Sequence, residues 1–93
     1  MKVEHRTYKT NAGERQIYNA LILATQRCGA TVFQVGKHEF YPHGLSAFVI
    51  LGESHTAVHT FPERQEVWVE IVSCSDKIDT EKFFREFERY VRT

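Results

Sequence analysis

Cysteine, proline and surplus charge are all scarce in this 93-residue chain. The two cysteines, Cys28 and Cys74, stand far apart with no Cys-x-x-Cys pair, which argues against a thiolate-built zinc site. Basic and acidic side chains balance at 12 each. A nucleic-acid partner needs clustered Lys and Arg to neutralise phosphates, and an anionic membrane needs the same surplus, so neither is expected. No apolar run approaches the roughly 18–20 residues of a membrane span. The polar opening Met1–Thr10 lacks the apolar centre of a signal peptide, so a cytoplasmic protein is expected. Repeats and low-complexity stretches are absent too. Residues 1–93 read as one domain. A chain this short hides only about 60–65% of its unfolded surface and gains from oligomerisation, so at least a dimer is expected.

What is present falls into two hydrophobic periods. Ile17, Leu21, Ala24 and Cys28, with Ala20 beside them, recur at helical spacing. Asn11-Ala-Gly-Glu14 reads as the start of that helix, with Asn11 as cap and Glu14 reaching back to it. Gly29 suits its end, and a helix over 12–28 is predicted. Val3 to Lys9 alternates weakly as a first strand. Ala30 to Val35, Leu45 to Leu51, Thr56 to Phe61 and Val67 to Ser73 read as further strands, punctuated by Gly36, Tyr41-Pro-His-Gly44 and Gly52-Glu-Ser54. Along the last strand Val67, Val69 and Ile71 share one face and Trp68, Glu70 and Val72 the other. Asp79 or Asp76 caps a final helix. Its stripe is Phe83, Phe84, Phe87, Tyr90 and Val91, with Lys82, Arg85, Glu86, Glu88 and Arg89 in water. The order β-α-β-β-β-β-α predicts an α+β two-layer sandwich, an antiparallel-rich sheet with both helices packed on one face. The other face is then bare, a natural place for a dimer contact or a second sheet.

Chemistry concentrates between Phe40 and Cys74. Ser54 follows Gly52-Glu53 at a tight junction between two apolar strands, which sets its hydroxyl close to the preceding carbonyl. His55 and His59, four apart, share one face of an extended strand, with Ala57 between them and Phe61 next in the row. Four residues span about 13 Å at about 3.3 Å each, too far for one ion held by both, so no metal is expected. Glu63 and Cys74 stand at strand ends, where a carboxylate and a thiol can join the serine and histidine. On periodicity alone the plainer reading is the stronger: Ser54 as a turn residue, the histidines as surface groups and Cys74 as a small buried hydrophobe.

Phe40-Tyr-Pro-His-Gly-Leu-Ser46, Glu53-Ser-His-Thr-Ala-Val-His-Thr-Phe-Pro-Glu63 and Ser73-Cys74 together resemble the prokaryotic S-adenosylmethionine decarboxylase proenzymes. That family carries Pro-(His/Tyr)-Gly-Val-Ser, Glu-Ser-His-x-x-x-His-Thr-Trp-Pro-Glu and Thr-Cys-Gly. The spacing is similar as well, because Ser54 stands eight residues after Ser46 and twenty before Cys74. The resemblance implies that Ser54 attacks the carbonyl of Glu53 and that the chain divides into residues 1–53 and 54–93. Ser46 and His59 would assist, and a pyruvoyl group would form from Ser54. It implies a ketone-bearing terminus as electron sink for decarboxylation and Cys74 as the acid that returns a proton to the substrate carbon. It also implies Phe40 and Phe61 as aromatic faces for the adenine, Glu63 as partner of the ribose hydroxyls, and a site shared by two protomers of a homodimer. The product would feed spermidine synthesis.

The chain departs from the family pattern in places. Phe61 replaces the usual Trp, Arg64-Gln-Glu66 replaces a Tyr-Gly-Tyr-like turn, Ser46-Ala47 stands for Ser-Gly, and Ser75 stands for the glycine after the cysteine. The usual acidic residue of the last strand is present as Glu70. Two alternatives follow from these departures: the same pyruvoyl chemistry on arginine or ornithine, or a homologue that does not cleave and serves as a binding or partner subunit.

Overall fold

The computed structural model describes residues 1–92. The alternating segments form five strands: β1 (Lys2–Lys9), β2 (Gln34–Glu39), β3 (Leu45–Ile50), β4 (His55–Phe61) and β5 (Glu66–Ser73). They make one sheet in the order β1-β5-β4-β3-β2 with every neighbouring pair antiparallel. Helices α1 (Glu14–Arg27) and α2 (Thr80–Val91) cover one face, so the α+β two-layer sandwich is the architecture observed. Leu45, Ala47 and Val49 of β3, Val58 of β4, and Val67, Val69 and Ile71 of β5 point inward. They meet Ile17, Leu21 and Ala24 of α1 and Phe83, Phe84 and Phe87 of α2. The period of two in the strands and of 3.6 in the helices supplies this core, with one departure: Glu86, expected in water, is buried and held by Arg27 and Arg89 at 3.0 Å each.

Three local expectations change. The first helix starts at Glu14 with Gly13 at its cap position and no side-chain cap bond, not at Asn11. The reason is that the Glu14 carboxylate turns outward and accepts the Gly44 N–H at 2.6 Å, tying the helix start to the loop before β3. The second strand lies at 34–39 rather than 30–35, because its register is set by the hairpin with β3 from Gln34↔Ile50 to Glu39↔Leu45. Gly36 is therefore inside the strand and not a stop. A Cβ there would lie 2.3 Å from the Phe48 ring, which rests on the bare backbone. At the other end of α1, Gly29 with φ +94 takes the left-handed position expected after the last turn. Of the two candidate caps for α2 it is Asp79 whose carboxylate accepts the Lys82 N–H, at 2.9 Å.

One polar contact crosses the core. The Thr25 hydroxyl donates to the Leu21 carbonyl at 2.7 Å and lies 2.8 Å from the Thr56 hydroxyl. Its single proton is already given, so Thr56 donates to Thr25. Both residues are fully buried. Thr25→Val leaves the Thr56 proton without an acceptor and is expected to cost about 1–3 kcal/mol. Thr25→Val/Thr56→Val removes both ends and is expected to cost less than the sum of the single changes. Urea unfolding of the four proteins measures this coupling.

Candidate active site

The connection from β3 to β4 is a two-residue hairpin. The Leu51 N–H donates to the Ser54 carbonyl at 2.8 Å, and Gly52 at φ +80 fits the first central position of a mirror-image turn. The hairpin tucks Ser54 to 5% exposure, where its Oγ accepts the Cys74 N–H at 2.8 Å. The Cys74 thiol donates in turn to the Glu53 carbonyl at 3.5 Å. Strand pairing explains the meeting: His55 faces Val72 across β4 and β5, so the residue before His55 arrives where the chain leaves Ser73. A hydroxyl, the carbonyl one bond behind it and a thiol thus share one corner of the sheet. The other thiol is of a different kind. Cys28 is buried with its Sγ on the Thr25 carbonyl at 3.1 Å, and burial pushes its pKa up, whereas Cys74 is exposed.

Ser46 and His59 lie on the bare face, in a row set by the register. That row runs Thr7, Trp68, His59, Ser46, His38 from β1 to β2. In it Ser46 Oγ and His59 Nδ1 are 2.8 Å apart. Beyond it Phe61 closes β4, and Phe40 follows β2 with its ring edge-on to His38 at 4.5 Å. Glu63 is exposed in a short 3-10 turn, Pro62–Arg64. The sheet therefore gathers Ser54, Glu53 and Cys74 at one end, and Ser46 and His59 with Phe40, Phe61 and Glu63 toward the other. Ser54 and His59 are five residues apart on extended chain, about 16 Å at about 3.3 Å per residue, so the two groups of one chain do not meet. Among the described residues no group of three His, Cys, Asp or Glu is arranged to hold a metal ion, and no helix is long and apolar enough to cross a membrane.

Three neighbours escape a reading by residue type. His55 Nε2 and Glu70 Oε2 are 2.9 Å apart, a cross-strand diagonal that needs the register to be seen. Trp68 stands beside Phe61 with ring centroids 4.7 Å apart. The Arg64 guanidinium lies over the Phe61 ring at 4.6 Å. The signal for Trp68 was its place on the outward face of β5 with Glu70 and Val72; Arg64 was marked only as a departure from the family's turn.

Residues 7–93 match the family model described as S-adenosylmethionine decarboxylase. The chain belongs to that family. It is 32% identical over 76 residues to an S-adenosylmethionine decarboxylase proenzyme of Methanococcus maripaludis, a match covering 82% of this chain and 62% of that protein. A proenzyme of the same name from Bacillus cytotoxicus is 43% identical over 56 residues, 60% of this chain and 43% of the relative. The chain thus spans less than two thirds of the length of these curated relatives. The fold is shared with the crystal structure of the adenosylmethionine decarboxylase from Aquifex aeolicus, at TM-score 0.81 and 22% identity over 96% of this chain and 77% of that one.

Proposed function

We propose that this family member is a proenzyme that cuts itself before Ser54 and becomes a pyruvoyl-dependent decarboxylase of S-adenosylmethionine, supplying the decarboxylated product for spermidine synthesis. The observation that supports this most is the corner where the Ser54 hydroxyl, the Glu53 carbonyl and Cys74 meet. Ser54 Oγ adds to the Glu53 carbonyl carbon, and the amide becomes an ester with the nitrogen of residue 54 as leaving group. The thiol on the carbonyl oxygen favours the addition, as a donor does at any developing oxyanion. Loss of the Cα proton of residue 54 then expels the Glu53 carboxylate by β-elimination. Water converts the dehydroalanine left at 54 to a ketone with release of ammonia. A ketone there supplies the electron sink that the twenty side chains lack. In the uncut chain the Cys74 N–H donates to Ser54 Oγ and so holds the nucleophile beside the carbonyl it attacks. The Cys74 thiol, already at this corner, would supply the proton returned to the substrate carbon.

Removal of the Cα proton needs a base, and His59, with Nδ1 on the Ser46 hydroxyl, has the right chemistry at the wrong end of its own chain. A second copy solves the distance. Laid face to face about a two-fold axis, it brings the Ser46 and His59 group of one protomer to the Ser54 corner of the other. The bare face invites such cover, since it exposes Phe48 at 39%.

The alternative substrates, arginine and ornithine, require a carboxylate free to meet a cation. Glu66, the carboxylate of the altered turn, is already engaged by Lys9 at 3.1 Å and Arg64 at 3.7 Å. The Lys9 hydrogen bond holds its carboxyl below the usual carboxylate range. Glu66 therefore lends no support to a cationic side chain.

Intact-mass spectrometry tests the proposal. The 10.9 kDa chain is expected to give pieces of ~6 and ~5 kDa, the shares of residues 1–53 and 54–93 at that mass. Borohydride added with S-adenosylmethionine is expected to fix the substrate to the smaller piece, while arginine and ornithine leave it unmodified. A single 10.9 kDa species after prolonged incubation overturns self-cleavage and favours a non-processing partner subunit.

A further inference from the structure

Phe61 is a poor surface for a flat ligand. It is half-buried, and the Arg64 guanidinium already lies over its ring at 4.6 Å. Trp68, one strand away, is the reverse. It is 45% exposed, carries the larger π face, and Arg64 stands 6.0 Å from it, at the margin of contact. Phe61 backs the indole at 4.7 Å, and the indole N–H points to Glu66 Oε1 at 3.4 Å. The ring is thus steadied on two sides while one face stays open. That face borders a groove of about 320 Å³ over β4, β5 and β1, lined by His5, Thr7, Ala57, His59, Trp68 and Glu70. The volume lies at the lower end of the range for small-molecule sites, about 300–1,000 Å³. Trp68 and His59 are register partners, so a ring stacked on Trp68 sits beside the imidazole that the proposed reaction uses.

We infer that Trp68 is the stacking platform for the purine of the ligand and that Phe61 is its buttress. The inference rests on the proposed function for its ligand, an adenine nucleoside carrying a sulfonium, but not for its geometry. An exposed indole beside a polar groove recognises a flat heterocycle through stacking and dispersion, interactions worth roughly ten-fold or more in affinity per ring. Phe61 stands where the resembled family carries a Trp, and Trp68 brings an indole beside it from the neighbouring strand.

Trp68 is the single tryptophan of the chain, so its fluorescence reports on this site alone. Adenosine is expected to quench the emission of the purified protein, and methionine is expected to leave it unchanged. By calorimetry, Trp68→Ala is expected to bind adenosine at least about ten-fold more weakly, Trp68→Phe to keep part of the affinity, and Phe61→Ala to lose less than Trp68→Ala. Circular dichroism establishes that each variant is folded. Unchanged emission with adenosine, or folded Trp68→Ala binding like the parent, overturns the assignment, as does a larger loss from Phe61→Ala. Cleavage is read separately by mass. Cleaved protein without quenching sinks only the platform, and quenching without cleavage sinks only the enzymatic reading.

Discussion

When chains carrying Ser54→Ala are mixed and refolded with chains carrying Ser46→Ala/His59→Ala, the latter are expected to be cleaved, although neither variant cleaves at a comparable rate alone. Ser54→Ala removes the oxygen that must enter the ester, so that chain stays whole. Ser46→Ala/His59→Ala keeps the nucleophile but loses the base and its hydroxyl partner, 2.8 Å apart, which slows proton removal by roughly 10²–10⁴. If each site draws Ser54 and Cys74 from one protomer and Ser46 and His59 from the other, a mixed dimer contains one complete site and one that keeps only Cys74. The piece that appears must come from the chain with Ser46→Ala/His59→Ala, because only that chain has Ser54. Random pairing in a two-fold dimer makes about half of those chains cleavable. Mass spectrometry identifies the cut chain by its altered residues. An unmixed rate in the mixture would mean that each protomer completes its own site, and the separation of about 16 Å along β4 would then need a large rearrangement to close.

Phe84→Ala is expected to be the most damaging single change to the folded state. Phe84 is fully buried, its ring stands edge-on to Phe83 with centroids 5.1 Å apart, and it holds α2 against the sheet. Truncating a buried phenyl ring removes its transfer free energy and leaves a void, about 3–5 kcal/mol together. A domain of this size has about 5–15 kcal/mol in all, and each kcal/mol moves the midpoint by about 4–8 °C. Thermal unfolding should therefore show a loss of at least about 12 °C. Arg6→Ala is the control. The Arg6 guanidinium covers the same ring at 4.2 Å and pairs with exposed Glu81 at 3.0 Å, contacts worth about 1 kcal/mol or less near the surface. A comparable loss from both variants would place the stabilisation in the cation and not in the ring.

The chain announces its architecture through positions whose burial is periodic. Phe83, Phe84 and Phe87 mark one face of α2, Val67, Val69 and Ile71 one face of β5, and those two stripes meet as the periods require. It is less legible where a residue answers to a distant partner. Glu14 looks like half of a capping box until Gly44 is seen to take it. Gly36 looks like punctuation until the Phe48 ring is found in the space a Cβ would need. The same division runs through the site. Ser54, His59 and Cys74 were recognisable by spacing and by resemblance, since twenty residues from serine to cysteine is what one hairpin between β4 and β5 requires. Trp68 was legible only as an outward residue of β5, and Arg64 only as a departure from the family's turn. Their importance lies in which ring is covered and which is open, and that is decided by side chains meeting across strands.

The sheet order has a last consequence. A cut before residue 54 would leave β1, α1, β2 and β3 in one piece and β4, β5 and α2 in the other. Because the order is β1-β5-β4-β3-β2, the central strands of the second piece are clasped between outer strands of the first. The severed halves would stay interlocked under native conditions. Once pulled apart by denaturant they would have to find each other again, so recovery would become more dilution-sensitive than that of the uncut chain. Such a molecule folds as one thread and is afterwards kept together only by having done so.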